Sequence, residues 1–478
     1  MSFAKLRDIF KTSSTLLISQ VLNFLFIPLI ARAYKPEVYA EWALFYSFAL
    51  IIGGIATARY SDSIVLLKRK KTMDVIVTLC FAIGLFASCV SFVAAYLFGK
   101  ALGLDGLGTI LIPLSVLLMA FHMTFLQVLV REGRFSLYSF SLLTMSVFPS
   151  VSQLISGWFI GASSQGIILA GFIGQCISAL TSYLYSSFQF KTLVFDRLKI
   201  FAGARRYSRF PKFSMGFAFF SLLRVRAMYL IFGAFRDPVF LGCYAQTDRL
   251  LSAPSALLGA SIRPIFFRHA ANVGLAKMWS PLRLILKVLW IGFGPILGVI
   301  LYYSNDLVVF LLGRQWKEAG WIFQALVIPS FLLMTTNWLD RAYDVLKLQK
   351  RVFLLELFYG SIAIIAVCLG VFALNSIEFS IYSLGCILSV YYVHWLVSIF
   401  SYVGASYRWV YKYLLISFVE VAGVFAYLYL ISQQKSVIFY YGLLGLLLFC
   451  ATHIVYLIRK EGFLISHIFS ENRGGIDV

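Results

Sequence analysis

FSMGFAFFSLLRVRAMYLIFGAFRDPVFLGCYAQTDRLLSAPSALLGASIRPIFF, residues 213–267, contains two long apolar runs that meet at Arg236, Asp237 and Pro238. Arg224 and Arg226 sit inside the first run, and Asp248 and Arg249 inside the second. Both runs are long enough to cross a bilayer, which takes about 20 apolar residues in a helix. A charge near the middle of such a segment costs about 2.5–3.5 kcal/mol on insertion scales. Such residues are kept when they face a polar cavity or each other.

The whole chain shares this character. Of 478 residues, 61% are hydrophobic and 13% charged, against about 25% charged in an ordinary soluble domain. The apolar runs are continuous, unlike the alternating segments of about 10 residues that build outer-membrane barrels. The expected fold class is therefore an all-α polytopic membrane protein. The formal net charge of +21 would suggest nucleic acid in a soluble chain. Here, loop charge that orients membrane helices explains it, and no nucleic-acid partner is expected. The seven cysteines all fall within apolar runs without a CxxC, and read as small apolar fillers. The basic lead and apolar stretch at the start are too long for a signal-peptide core, and read as an uncleaved first span.

About fourteen spans are expected, near 12–33, 40–67, 75–97, 108–130, 137–160, 166–187, 212–234, 239–262, 282–304, 319–339, 352–374, 379–403, 410–431 and 437–458. Of 41 Lys and Arg, 30 then fall on the side of the N-terminus and 7 on the other. Arg59, Arg224, Arg226 and Arg249 remain inside spans. The asymmetry places both termini in the cytoplasm. No outward loop is long enough to hold a soluble domain. The basic connection at 188–211 is expected to lie along the anionic inner leaflet.

An internal repeat organises these spans. Displaced by 201 positions, the segment Ala33, Tyr34, Lys35, Pro36, Glu37, Val38, Tyr39 overlies Ala234, Phe235, Arg236, Asp237, Pro238, Val239, Phe240. The copies join spans one to two and seven to eight, in the same orientation. This predicts two six-helix lobes in parallel pseudo-repeat plus two C-terminal helices. The expected division is a first lobe at 1–187, a connection at 188–211, a second lobe at 212–403, and the extra helices and tail at 404–478. Transporters built from repeats bind substrate between the halves.

Arg224 and Arg226 are two residues apart, so they point about 200° apart on a helix and cannot share a face. Asp248 lies at similar depth on the next span and is the expected partner. One acid among Arg224, Arg226 and Arg249 leaves a surplus of positive charge, which suits an anionic ligand. In the repeat, Asn23 takes the place of Arg224, near Gln20, and supplies polarity without charge. Arg59 and Asp62 stand at i and i+3 near the cytoplasmic end of span two, as a self-paired duo or the mouth of a cavity. Glu356, Glu420, His122, His394 and Asn337 are isolated polar residues of the kind that usually join helices. The sequence lacks GxxxxGK[ST], HExxH and GxSxG. A transporter rather than an enzyme is expected, with no catalytic residue, cofactor or metal.

The stretches LISQVLNFLFIPLIARAYKPEVYAEWALFYSFALII, ARYSDSIVLLKRK, RRYSRFPKFSMGFAF and FLGCYAQTDRLLSAPSALLGASIRPIF resemble the Wzx-type polysaccharide and O-antigen flippases. These belong to the multidrug/oligosaccharidyl-lipid/polysaccharide (MOP) exporter superfamily. The resemblance implies a V-shaped pair of lobes, alternating access and a cationic central cavity. It implies transfer of an undecaprenyl-diphosphate-linked oligosaccharide, an O-antigen or other lipopolysaccharide or surface-polysaccharide unit, to the outer leaflet of the bacterial cytoplasmic membrane. Membrane lipids, and polymerase or chain-length proteins of the same pathway, are the implied partners. Arg59 with Asp62, and Arg249, lie in the matching motifs. Arg224 and Arg226 are nominated by depth and charge, and Asp62 or Asp248 as a site for cation coupling. A peptidoglycan lipid-precursor flippase, a drug/cation antiporter of the superfamily and an integral-membrane glycan polymerase are the alternatives.

Overall fold

The structure, a computed structural model, describes residues 3–432 apart from 100–101, 105, 236, 274–278, 340–341, 347 and 403–405. Among the described residues every regular element is helical. The first half comprises α1 (Phe3–Ala33), α2 (Pro36–Gly53), α3 (Tyr60–Ser63), α4 (Lys70–Phe98), α5 (Gly106–Arg131), α6 (Phe135–Ile155) and α7 (Ser164–Tyr185). A connecting helix α8 (Arg197–Arg206) leads to α9 (Gly216–Ala234), α10 (Pro238–Val273), α11 (Trp279–Tyr302), α12 (Ser304–Leu312), α13 (Ala319–Thr336), α14 (Ala342–Val345), α15 (Gln349–Cys368), α16 (Ile377–Tyr402) and α17 (Tyr407–Ser432). The span expected at 437–458 and the tail beyond it lie outside the described residues, as does Arg236.

Nine helices among the described residues are long and apolar enough to cross a membrane. Helices satisfy their own backbone groups, which hydrocarbon cannot do for them. The chain is a multi-pass, all-α membrane protein. The long helices outside those nine are α1, α2, α9 and α10. Those four form the centre of the molecule. Helix α1 packs on α10, α2 packs on α9, and α2 and α10 cross between them.

The neighbour scheme on either side of that crossing is the same. In the first half α1 packs on α6, α6 on α7, α7 on α5 and α5 on α2. In the second, α9 packs on α15, α15 on α16, α16 on α13 and α13 on α10. The repeated segments occupy equivalent places: α1 ends at Ala33 and α9 at Ala234, and a proline opens each following helix. Proline is well suited to a first helical position, since it lacks the N–H that would go unpaired there. Asp237 also caps α10, accepting from the Phe240 amide at 3.0 Å.

Two expectations for the spans need correction. The second span ends at Gly53 rather than Leu67. Residues 54–59 form turns, with Ala58 and Arg59 at φ values of 45° and 60°, and one helical turn follows at Tyr60–Ser63. The charges and small polar residues of ATARYSDS make a poor continuation of an apolar helix. The eighth span extends well past 262, because α10 runs 36 residues to Val273. In the connection, Asp196 caps α8 by accepting from the Leu198 and Lys199 amides. A hydrogen bond from Lys199, together with these amides, holds the exposed Asp196 carboxyl below the usual carboxylate range. Phe195, Leu198 and Phe201 are strongly exposed beside the basic residues of this segment.

At the central crossing α10 meets α2 through Gly242. A Cβ there would run into the backbone carbonyl of Pro36, which no rotamer change can relieve. Gly242→Ala is expected to destabilise the protein by about 1–3 kcal/mol as an overpacked contact. Gly423→Ala, where a Cβ meets open space on α17, is expected to leave the melting temperature unchanged or higher. Thermal unfolding of both variants in one detergent checks the contrast.

Candidate functional site

A cavity of about 440 Å³ lies where the two halves meet. Its walls come from α1, α2, α6 and α7 on one side and α9 and α10 on the other. The volume falls within the roughly 300–1,000 Å³ common for ligand sites. Of the residues nominated from sequence, Asn23, Arg226, Asp248 and Arg249 line it. Arg224, Arg59 and Asp62 do not.

The two α9 arginines part company as their spacing requires. Arg224 turns away from the cavity to Glu356 of α15, with Nε donating to Oε2 at 2.6 Å. Tyr391 of α16 donates to the other carboxylate oxygen at 2.6 Å, and the Arg224 guanidinium lies 5.2 Å from the centre of that tyrosine ring. This corrects the expectation that Asp248 pairs with Arg224, and Glu356 is not isolated. A residue 132 positions away reaches Arg224 because α9 packs on α15.

Arg226 faces the cavity. Its guanidinium is stacked between Tyr46 of α2, at 5.7 Å, and Tyr229 of its own helix, at 5.3 Å. Aromatic faces hold a cation without neutralising it. Asp248 accepts from the Tyr229 hydroxyl at 2.5 Å. Arg226 has no carboxylate within ion-pair distance among the described residues. Arg249, one residue past Asp248, donates to the Tyr39 hydroxyl at 3.4 Å and the Ser150 hydroxyl at 3.2 Å, both neutral. The cavity thus presents two guanidinium groups and one carboxylate.

Arg59 and Asp62 pair with each other at 2.8 Å, away from this cavity. Arg59 stands at the N-terminus of the single turn α3 rather than on a continuous span. The other polar residues within the spans join helices. His122 meets the Ser182 hydroxyl at 2.7 Å, His394 meets Tyr359 at 2.9 Å, and Asn337 receives from Arg263 at 2.6 Å. Glu420 differs, with one carboxylate oxygen buried and without a hydrogen-bond partner.

Sequence reasoning missed Gln153 and Gln175, which line the cavity from α6 and α7. Both lie inside expected spans, so the depth argument that found the arginines would have found them had it been applied to amides. It also missed Trp42 and Tyr46, stacked with ring centres 5.3 Å apart on α2. In a chain with 46 Phe and 27 Tyr, composition cannot single out such a pair.

With this geometry in hand, comparison with known proteins becomes informative. The family described as polysaccharide biosynthesis protein matches residues 66–320, just over half of the chain. The chain belongs to this family. Among solved structures, lipid II flippase MurJ in its inward closed conformation superposes with a TM-score of 0.68 at 13% identity, over 95% of this chain and 99% of that one. An inward-facing multidrug resistance MATE family transporter of the MOP superfamily gives a TM-score of 0.49 at 11% identity, over 85% of this chain and 95% of that one. No curated protein matches. The family match and the MurJ fold bear out the resemblance drawn from the sequence.

For this family member the two α9 arginines should fail differently. Arg224→Ala strands the buried Glu356 carboxylate, and breaking a buried pair costs about 3–5 kcal/mol. It is expected to lower the membrane abundance and melting temperature of the protein. Arg226→Ala removes a cation exposed to the cavity and is expected to leave both near wild type. Immunoblotting of membranes and detergent melts check the difference.

Proposed function

We propose that this chain is a flippase that moves an undecaprenyl-diphosphate-linked oligosaccharide from the cytoplasmic to the outer leaflet of the bacterial cytoplasmic membrane. The observation that carries this reading is the pair Arg226 and Arg249, on α9 and α10, facing one cavity between the halves with a single acid, Asp248. A diphosphate cannot cross hydrocarbon unaided. At an effective dielectric near 20, one close charge pair contributes about 4 kcal/mol before desolvation. The cavity supplies two such pairs, while the polyprenyl tail stays in the surrounding lipid. A drug/cation antiporter would want surplus acid at this depth, and the surplus here is arginine.

In this reading 1–187 and 212–403 act as the two moving lobes, both termini are cytoplasmic, and α8 lies on the inner leaflet. Its exposed Phe195, Leu198 and Phe201 suit that interface. The end of α1 then faces outward, where it is tied to the second half. The Trp316 indole donates to the Ala31 carbonyl at 2.7 Å, and the Gln315 amide donates to Ala31 and Tyr34 carbonyls at 2.6 and 3.1 Å. These bonds satisfy carbonyls that a helix end leaves free. Alternating access requires them to break when the outward side opens.

In cells where this chain is the sole exporter for its substrate, Arg226→Ala and Arg249→Ala are expected to reach normal membrane levels. Each is expected to raise lipid-linked oligosaccharide on the cytoplasmic leaflet about tenfold or more, as loss of a charge-assisted hydrogen bond would. Normal export after deletion of the whole chain would sink the flippase reading. For the outward latch, Gln315→Ala with Trp316→Ala is expected to increase labelling of a cysteine placed at Asn23 by a membrane-impermeant reagent added outside. Unchanged labelling would mean that these bonds do not hold the outward side shut.

A further inference from the structure

The α6 and α7 side of the cavity carries a second kind of chemistry. Gln153 and Gln175 are 2% and 6% exposed and line the cavity. Both amide atoms of Gln175, and the nitrogen of Gln153, are buried without a hydrogen-bond partner. A buried polar group without a hydrogen bond bears its full desolvation penalty. Two unpaired amides lining one cavity point to a ligand that completes them.

What completes them is constrained by their chemistry. An amide side chain presents N–H donors and a carbonyl acceptor together. A phosphate oxygen can accept from the nitrogen but leaves the carbonyl unmet, and a cation does the reverse. Hydroxyl and acetamido groups both donate and accept. Beside the amides lies an aromatic surface: the Trp42 ring packs over Gly171, on the turn of α7 before Gln175, and is stacked on Tyr46. A Cβ at Gly171 would also stand 3.1 Å from the Gln153 nitrogen, so ring and amide are immediate neighbours. Gly174 lets α7 close on Pro149 of α6, which brings the two glutamines to the same wall. Amides that both donate and accept, beside the edge of a buried aromatic ring, match the hydroxyl and acetamido edge of a pyranose.

The position relative to the cationic wall is equally specific. Arg249 donates to Ser150, which precedes Gln153 by three residues on α6. Three residues of helix rise about 4.5 Å, so Gln153 stands about one turn along α6 from the Ser150 that Arg249 meets. A sugar bonded directly to an arginine-held phosphate falls at that distance.

We propose that Gln153 and Gln175, with Trp42, form a subsite for the first sugar of the lipid-linked substrate, adjoining the Arg226 and Arg249 phosphate site. This rests on the flippase reading above, and it assigns sugar selectivity to α6 and α7.

The test is binding by the full chain in nanodiscs. The probes are undecaprenyl diphosphate and the same lipid carrying one glucose, galactose, N-acetylglucosamine or N-acetylgalactosamine. Wild type is expected to bind at least one glycosylated probe about tenfold or more tighter than the bare diphosphate, a difference of about 1.4 kcal/mol. Gln175→Leu and Gln153→Leu are expected to erase that preference while leaving bare-diphosphate affinity unchanged. Arg249→Ala is expected to weaken every probe. Gln175→Asn, with the same chemistry and a shorter reach, is expected to lose preference only in part. Because the amides lack partners, Gln175→Leu is also expected to melt no lower than wild type without ligand. A lower melting temperature, equal weakening of all probes by the glutamine variants, or a wild type indifferent to the sugar overturns the subsite alone. Failure of wild type to bind any probe overturns the phosphate site and the flippase reading with it.

Discussion

The cost of a guanidinium in hydrocarbon governs the centre of this molecule. A long apolar chain keeps Arg224, Arg226 and Arg249 at mid-depth only if each finds an environment that is not lipid. The fold provides two kinds. Arg224 is closed off against Glu356 and Tyr391, inside the second half. Arg226 and Arg249 open on the cavity between halves, held by tyrosine rings and hydroxyls that leave their charge available. The first arrangement ties α9 to α15, and the second leaves two cations facing the cavity.

The same separation assigns roles to the four central helices. Helices α1, α2, α9 and α10 pack on one another at the junction of the two halves, and other helices flank them on either side. Small residues allow the close crossing, with Gly242 against Pro36 at the junction of the halves. Because the crossing carries both the seam and the cavity wall, movement of one half against the other necessarily reshapes the site. A transporter needs that coupling, since an ion or headgroup held equally in every state would not be released.

In the proposed reading the two sides of the cavity also divide the chemistry of recognition. Guanidinium groups on α9 and α10 suit an acceptor-only anion, whereas unpaired amides on α6 and α7 suit groups that both donate and accept. A headgroup with a diphosphate and a sugar carries both characters in adjacent positions. The family match is what supports the polysaccharide unit in the proposed function.

The sequence by itself determined the membrane character, the positions of most spans, the repeat at Ala33 and Ala234, and the surplus of buried arginine. These follow from local quantities: continuous apolar length, charge at a given depth, and spacing along one helix. It also showed that Arg224 and Arg226 must face different ways, since two residues on a helix turn through about 200°. Only the tertiary structure decided which way. Glu356, Asp248 and other acids were all available at plausible depth, and the choice was made by α9 packing on α15, a contact 132 residues apart in the chain. Likewise Gln153 and Gln175 were visible as polar residues in apolar spans, but not as neighbours. Their place on one cavity depends on Gly171 and Gly174 letting α7 approach α2 and α6. Depth is written along one helix; partners are set by how helices pack.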